Sequence, residues 1–359
     1  MLTFVFQKKH TMIKHTFFYI LLFGFVACTS EVKVEEEQFF VSEELTTDAE
    51  RYQQLSDSLK KHPEKINLWI EKGELCKENL DFDCALNAGA KAFRLDSTNI
   101  QARQLYAWTL INKTNAPVSD IERAQRHYQY ILSLQPKDPQ TLVELANTYS
   151  LTGDFKTAIK YINDALKIDE RYRDGYVLKG SIYKTLDNNE LALSSYQTAV
   201  QLDPDFFMGH LNTGWLLTSM EEHQLAIEYY ENAVQLKPRN LNAIYGIAKS
   251  LQDLGRYEES LVEYRKLAKI KPEFYITFFN QGFIKQYYQN ELDSATYFYG
   301  EVLDLNPQYA PAWYQLGETY YEQERISEAA KAFSEALKID GEYVPALEAI
   351  ERIRKTSYR

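Results

Sequence analysis

Three cysteines and six histidines are the side chains of this chain with most to offer as nucleophiles or metal ligands. The histidines stand at 10, 15, 62, 127, 210 and 223, and no two of them share a metal-ligand spacing. No HExxH, GxSxG or Walker loop occurs, so zinc hydrolysis, serine acyl transfer and nucleotide hydrolysis all lack their residues. The acidic run Glu35 to Glu37 has the composition of a solvated stretch rather than a metal site. Cys76 and Cys84 are eight residues apart, and they meet only if the chain reverses between them. In an oxidising compartment they form a disulfide, and otherwise they are two buried thiols; the spacing leaves both readings open. The expectation is a protein with no catalysis, no metal and no cofactor of its own.

The elements that position these residues repeat. Ala310 to Gly341 reads APAWYQLGETYYEQERISEAAKAFSEALKIDG, with apolar and small residues at helical spacing in two segments. Trp313, Leu316, Gly317 and Tyr320 mark the first; Ala329, Phe333 and Ala336 mark the second. A polar turn at Gln323 to Arg325 separates them, so the stretch predicts a helical hairpin with one apolar face. The residues closing each such stretch are Pro63, Ser97, Pro136, Glu170, Pro204, Pro238, Pro272, Pro307 and Gly341. They follow at steps of 34 residues, apart from one of 39 and one of 35. The long step holds an insertion within Asn112 to Asp120, and the one-residue slip falls between Gly282 and Ala295. Small residues in both helices, such as Gly317 and Ala329, suggest two helices that cross closely. Aromatics recur low on the second helix at Tyr128, Tyr196, Tyr230, Tyr264, Tyr299 and Phe333, where core packing is expected. Length alone allows two domains or one long array, and the constant step selects the array.

Trp313, Leu316-Gly317, Tyr320, Ala329, Phe333 and Ala336 fall at the spacing of the tetratricopeptide repeat, which this stretch closely resembles. Gly341 stands where the family has its closing proline. The resemblance implies an all-α fold: a right-handed superhelical solenoid of eight hairpins over residues 64–342, with capping helices at 50–63 and 343–359. It also implies a concave groove lined by the first helices. Carried onto this chain, the groove positions nominate Trp108, Asn147, Trp215, Tyr245, Lys249, Phe279, Phe283, Tyr314, Glu318 and Tyr321. Some relatives clamp a peptide carboxylate with lysine and asparagine there; Asn147 stands alone, so that clamp is absent. What remains is an aromatic trough of Trp215, Tyr245, Phe279, Phe283, Tyr314 and Tyr321, suited to a protein or peptide partner. Rings also suit a sugar face, so a glycan is the alternative ligand.

Residues 1–27 carry Lys8, Lys9 and Lys14, no acid, and the apolar run Phe17 to Ala27, too short for a membrane span but suited to a secretory signal. Met12 offers a second start with a more ordinary signal. Phe25-Val26-Ala27-Cys28 resembles a bacterial lipobox, which implies acylation of Cys28, the lipid bilayer as a partner and an outer-membrane lipoprotein. Residues 28–49 have the composition of a flexible acidic tether. Cleavage before Cys28 takes the formal net charge from −11 to −14, which argues against nucleic acid as a partner. The resulting expectation is a membrane-anchored scaffold of the bacterial envelope that binds proteins through its groove. A non-lipidated periplasmic scaffold, a peptidoglycan-contacting factor and a regulatory subunit of a transporter or secretion machine are the alternatives.

Overall fold

The computed structural model describes residues 44–113 and 115–357. The signal-like stretch 1–27, Cys28 and the acidic residues up to 43 lie outside the described residues. Eighteen helices and no strand occur among those described. Sixteen of the helices pair as hairpins. They are α2 (Ile66–Glu78) with α3 (Phe82–Leu95), α4 (Ile100–Asn112) with α5 (Val118–Leu134), α6 (Pro139–Leu151) with α7 (Phe155–Ile168), and α8 (Arg173–Thr185) with α9 (Asn189–Leu202). Then come α10 (Phe207–Ser219) with α11 (His223–Leu236), α12 (Leu241–Asp253) with α13 (Tyr257–Ile270), α14 (Ile276–Tyr287) with α15 (Leu292–Leu305), and α16 (Ala310–Glu322) with α17 (Ile326–Ile339). Single helices flank them, α1 (Glu44–Lys61) against α2 and α18 (Val344–Ser357) against α17. The start of α1 takes in residues 44–49, which composition assigns to the tether.

Seven of the eight hairpins reverse by one device. A residue two or three positions past the end of the first helix turns left-handed: Leu80, Gly153, Asp187, Glu221, Gly255, Asn290 and Glu324 all have φ between 54° and 83°. The next N–H then reaches back five or six residues to a helix carbonyl, as in Asp154 to Tyr149 (2.9 Å), Glu222 to Leu217 (2.9 Å) and Arg325 to Tyr320 (2.8 Å). This satisfies a carbonyl orphaned by the helix end and ends the helix on a fixed vector. Side-chain caps start the next helix where Asp81, Asp154 and Asn188 accept from Cys84, Thr157 and Leu191.

The interior of a hairpin is a small residue under a ring, and in four of them the small residue is glycine. A Cβ on Gly214 would lie 2.7 Å from the Tyr230 ring, and one on Gly317 would lie 2.5 Å from Phe333. The small residue of the first helix therefore makes room for an aromatic of the second, rather than for a second small residue. Tyr196, Tyr230, Tyr264, Tyr299 and Phe333 are completely buried. Their hydroxyls return to the first helix: Tyr196 to Ser181, Tyr230 to Thr218, Tyr264 to Gln252 and Tyr299 to Gln286, each at 3.1 Å. A buried phenol with its partner present avoids the cost of a lost hydrogen bond.

Three hairpins depart from this plan, the third by carrying Ile162 in place of the ring. In the first, Gly89 stands where later hairpins carry the ring, and Cys76 and Cys84 are disulfide-bonded with their Cα atoms 5.8 Å apart. In the second, the long turn is held by buried Asp120, which pairs with Lys113 and with Arg123 (2.9 Å). The helices form two compact units, one through Pro204 and one from Asp205. No helix among the described residues is long and apolar enough to cross a membrane.

Candidate binding face

Within each unit the first helices of successive hairpins lie side by side and form one face. In the N-terminal unit α2 adjoins α4, α4 adjoins α6 and α6 adjoins α8. In the C-terminal unit α10 adjoins α12, α14 adjoins α16, and α16 adjoins α18. The predicted groove residues lie on these helices, but their exposure differs.

In the C-terminal unit, Tyr245, Phe279 and Tyr314 are partly buried because each leans on its own hairpin's interior ring. Tyr245 meets Tyr264 (6.1 Å), Phe279 meets Tyr299 (5.7 Å) and Tyr314 meets Phe333 (5.8 Å). Burial pushes the Tyr245 phenol up, while Asn280 donates to its oxygen at 3.4 Å and partly offsets that. Phe283, also partly buried, packs on Tyr287 (4.6 Å) and Tyr288 (6.0 Å), both about half exposed. Tyr288 in turn stacks on Tyr257 at 4.1 Å. These rings gather where the one-residue slip of the seventh hairpin falls. Charges sit among them in pairs: Lys249 with Asp253, and Glu318 with Arg352. The Arg352 guanidinium also lies 4.4 Å from the centre of the Tyr321 ring.

Trp215 differs. It is 7% exposed, on a helix whose residues 209 to 217 are all buried. A helix apolar on every side buries its inner face too, so this ring offers a partner almost nothing. Trp108 is also buried, packed with Cys76 and Ala85 and stacked on Phe82 at 6.1 Å. Asn147 is 1% exposed.

Sequence reasoning missed two contributors. Arg352 follows Glu318 by one repeat step, so extending the period into the last helix would have found it. Glu144 lies one turn before Asn147 and gives no sequence signal, because only burial distinguishes it. Burial raises its carboxyl to about 7, with Asp174 and Glu74 pushing the same way and Lys77 opposing them. Among the described residues, one group of three potential metal ligands occurs, Cys76, Asp81 and Cys84. Its two sulfurs are bonded to each other, and Asp81 caps α3.

Tetratricopeptide repeat models match residues 139–172, 174–206, 210–240 and 241–274, and again 287–351. No curated protein matches the chain. Among solved structures, the C-terminal part of a TPR repeat-containing protein from Cytophaga hutchinsonii is similar, with 16% identity and a TM-score of 0.59. That likeness covers 70% of this chain and 99% of the other. A monomeric mutant of IFIT1, solved with m7Gppp-AAAA, is 15% identical with a TM-score of 0.53, over 81% of this chain and 76% of that one. At such identities the likeness is one of fold alone. The family matches span more than half of the chain, and their period, the left-handed turns and the small residue of each first helix agree with one another. The chain belongs to the tetratricopeptide repeat family.

Proposed function

We propose that this protein is a binding scaffold that holds a polypeptide segment along the first-helix face and performs no covalent chemistry. The observation that carries this is the ring cluster of the C-terminal unit. Phe283, Tyr287, Tyr288 and Tyr321 are partly or half exposed, beside the charge pair Glu318 and Arg352. Rigid rings next to adaptable polar groups give contact area at low entropic cost. Trp215 serves the fold in this reading. The test is photo-crosslinking in the native host, with p-benzoylphenylalanine at Phe283 or Tyr321 and, as control, at Tyr297 on the second helix α15, 59% exposed. Discrete polypeptide adducts from the first two positions and none from the third support the scaffold. Equal labelling from all three positions overturns it. A polysaccharide adduct, recovered on cell-wall polymer, replaces the peptide reading with the glycan one.

The scaffold reading requires no anchor. A second reading adds one, with Cys28 acylated and the scaffold tethered to a bacterial outer membrane. Its support is the basic and apolar stretch ending at Cys28, together with a bonded Cys76–Cys84 pair that fits an oxidising compartment. Intact mass of protein from membrane extracts decides it. A chain starting at Cys28 with a diacylglyceryl-sized addition, lost in Cys28→Ser, supports the anchor; an unmodified chain retaining earlier residues rejects it.

A further inference from the structure

The first-helix face of the N-terminal unit is polar where that of the C-terminal unit is aromatic. Glu74, Trp108 and Asn147 occupy equivalent positions on the neighbouring helices α2, α4 and α6. Around them lie buried oxygens: Asn147 Oδ1 and Ser150 Oγ have no hydrogen-bond partner, and the Glu144 carboxyl accepts from the Tyr128 hydroxyl. Asn147, Ser150 and Tyr128 are each at least 98% buried. Gln104 Nε2 is the one unpartnered nitrogen on these neighbouring first helices away from Arg103. Buried acceptors rarely go unmatched, and the Asn147 amide oxygen accepts only. A cation already stands at the edge of this group. The Lys77 ammonium lies 5.1 Å from the centre of the Trp108 ring and 3.3 Å from Glu74.

We propose that this face seats one cationic side chain of a partner polypeptide, a lysine ammonium or arginine guanidinium, between the Trp108 ring and the acceptors of Glu144 and Asn147. The proposal rests on the scaffold reading and names the chemistry its N-terminal unit selects. Lys77 is the internal occupant that the incoming cation displaces, since an aromatic face and a carboxylate together favour such a group. The charges facing Glu144 are Lys77 and Glu74 from α2 and Asp174 from α8, the last paired with Arg173 at 2.7 Å. The phenols of Tyr128 from α5 and Tyr172 before α8 complete its surroundings. Carboxylates outnumber cations around Glu144, and the chain as a whole carries −11, so a basic segment is drawn in rather than repelled. Because the Glu144 carboxyl titrates at about 7, its ionised form grows across the neutral range and binding strengthens with it.

The test uses the full chain with 5-fluorotryptophan at its four tryptophans, the Trp108 resonance being assigned by Trp108→Phe. The probes are blocked Gly-Gly-Arg-Gly-Gly and its citrulline analogue. The arginine peptide is expected to shift the Trp108 resonance saturably, with the citrulline peptide at least about tenfold weaker. Affinity should rise by about tenfold from pH 6 to pH 8, as the binding-competent fraction of Glu144 grows, and should be flat in Glu144→Gln. Lys77→Met, on a partly exposed residue, should tighten binding by about threefold or more at pH 8 by removing the tethered competitor. A damaged fold would weaken binding instead. Equal binding of both peptides, or a Trp108 resonance that no probe moves, overturns the cation seat. If Phe283 still crosslinks a polypeptide in that case, the scaffold reading survives without it. If Trp108 responds while Phe283 does not crosslink, the seat stands and the aromatic face loses its role.

Discussion

The residue that turns seven of the hairpins shows how local strain enters this chain. Gly153 and Gly255 take a left-handed φ without penalty, but Leu80, Asp187, Glu221, Asn290 and Glu324 do so with a side chain attached. A left-handed conformation costs an ordinary residue about 1–2 kcal/mol, so Glu221→Gly and Glu324→Gly should each stabilise the protein by about 1 kcal/mol. Chemical denaturation reads this as a higher midpoint; an unchanged or lowered midpoint would mean that the turns carry no strain. Gly214→Ala acts the other way. Its Cβ would meet the Tyr230 ring at 2.7 Å, and overpacking of that kind costs about 1–3 kcal/mol. Two buried titratable groups add a pH dependence with opposite signs. Burial, with Arg103, Arg123 and Arg126 adding to it, lowers His127 to about 4. Its contribution is therefore complete above about 6.5 and is lost as pH falls toward 4. Glu144, raised to about 7, contributes fully below about 4.5 and loses that contribution as pH rises through 7. Between pH 6.5 and pH 8 only the Glu144 slope of these two remains. The melting temperature of the wild type should fall there relative to Glu144→Gln, and a constant difference would show that Glu144 keeps its ordinary pKa.

At the scale of the helical hairpin, most of the fold was legible because each hairpin repeats one physical solution. A small residue at the crossing (Ala in seven, Ser260 in the sixth) and a small residue on the first helix recur at a fixed step, with an aromatic four residues after the crossing in six hairpins, and all eight crossings are fully buried. The reason for the small residue was less legible, since spacing cannot say whether it faces another small residue or a ring. The candidate face was legible as a set of positions and illegible in exposure. Lys249, Phe283, Glu318 and Trp215 are equivalent in sequence, yet the helix carrying Trp215 is buried all round. Where the plan fails, another interaction takes over. Gly89 leaves the first hairpin without its ring, and the Cys76–Cys84 bond ties α2 to α3 instead. Closing so short a loop is worth about 2.5 kcal/mol on the chain-entropy account. Reduction should therefore increase hydrogen exchange in α2 and α3 and leave α6 to α9 unchanged. Equal protection with and without reductant would assign the first hairpin's stability to packing alone.

Across the whole molecule, stability in a repeat array is a sum of hairpin and nearest-neighbour terms, so an end is governed by what covers it. At the C-terminal end α18 does this by halves. Ala346, Ala349 and Ile353 are buried against a cluster containing Phe333 and Ala336, while Val344 and Leu347 remain about half exposed. The same helix places Arg352 against Glu318 and over the Tyr321 ring, so one element both closes the core and finishes the proposed binding face. Two separable variants follow. Ending the chain after Gly341 should uncover the cluster around Phe333 and raise hydrogen exchange in α16 and α17 by about ten- to a hundredfold, with α2 to α9 unaffected, because local opening follows local contacts. Arg352→Gln should leave that protection within about twofold of wild type, since the Arg352 side chain is 43% exposed and solvent screens it, even though Glu318 is 13% exposed. It should nevertheless change the crosslinking yield at Tyr321, whose ring it no longer covers. If Arg352→Gln unprotects α16 as strongly as the truncation does, the arginine belongs to the closure of the core and the face ends at Tyr314. If it alters crosslinking alone, the last helix is part of the surface that meets the partner.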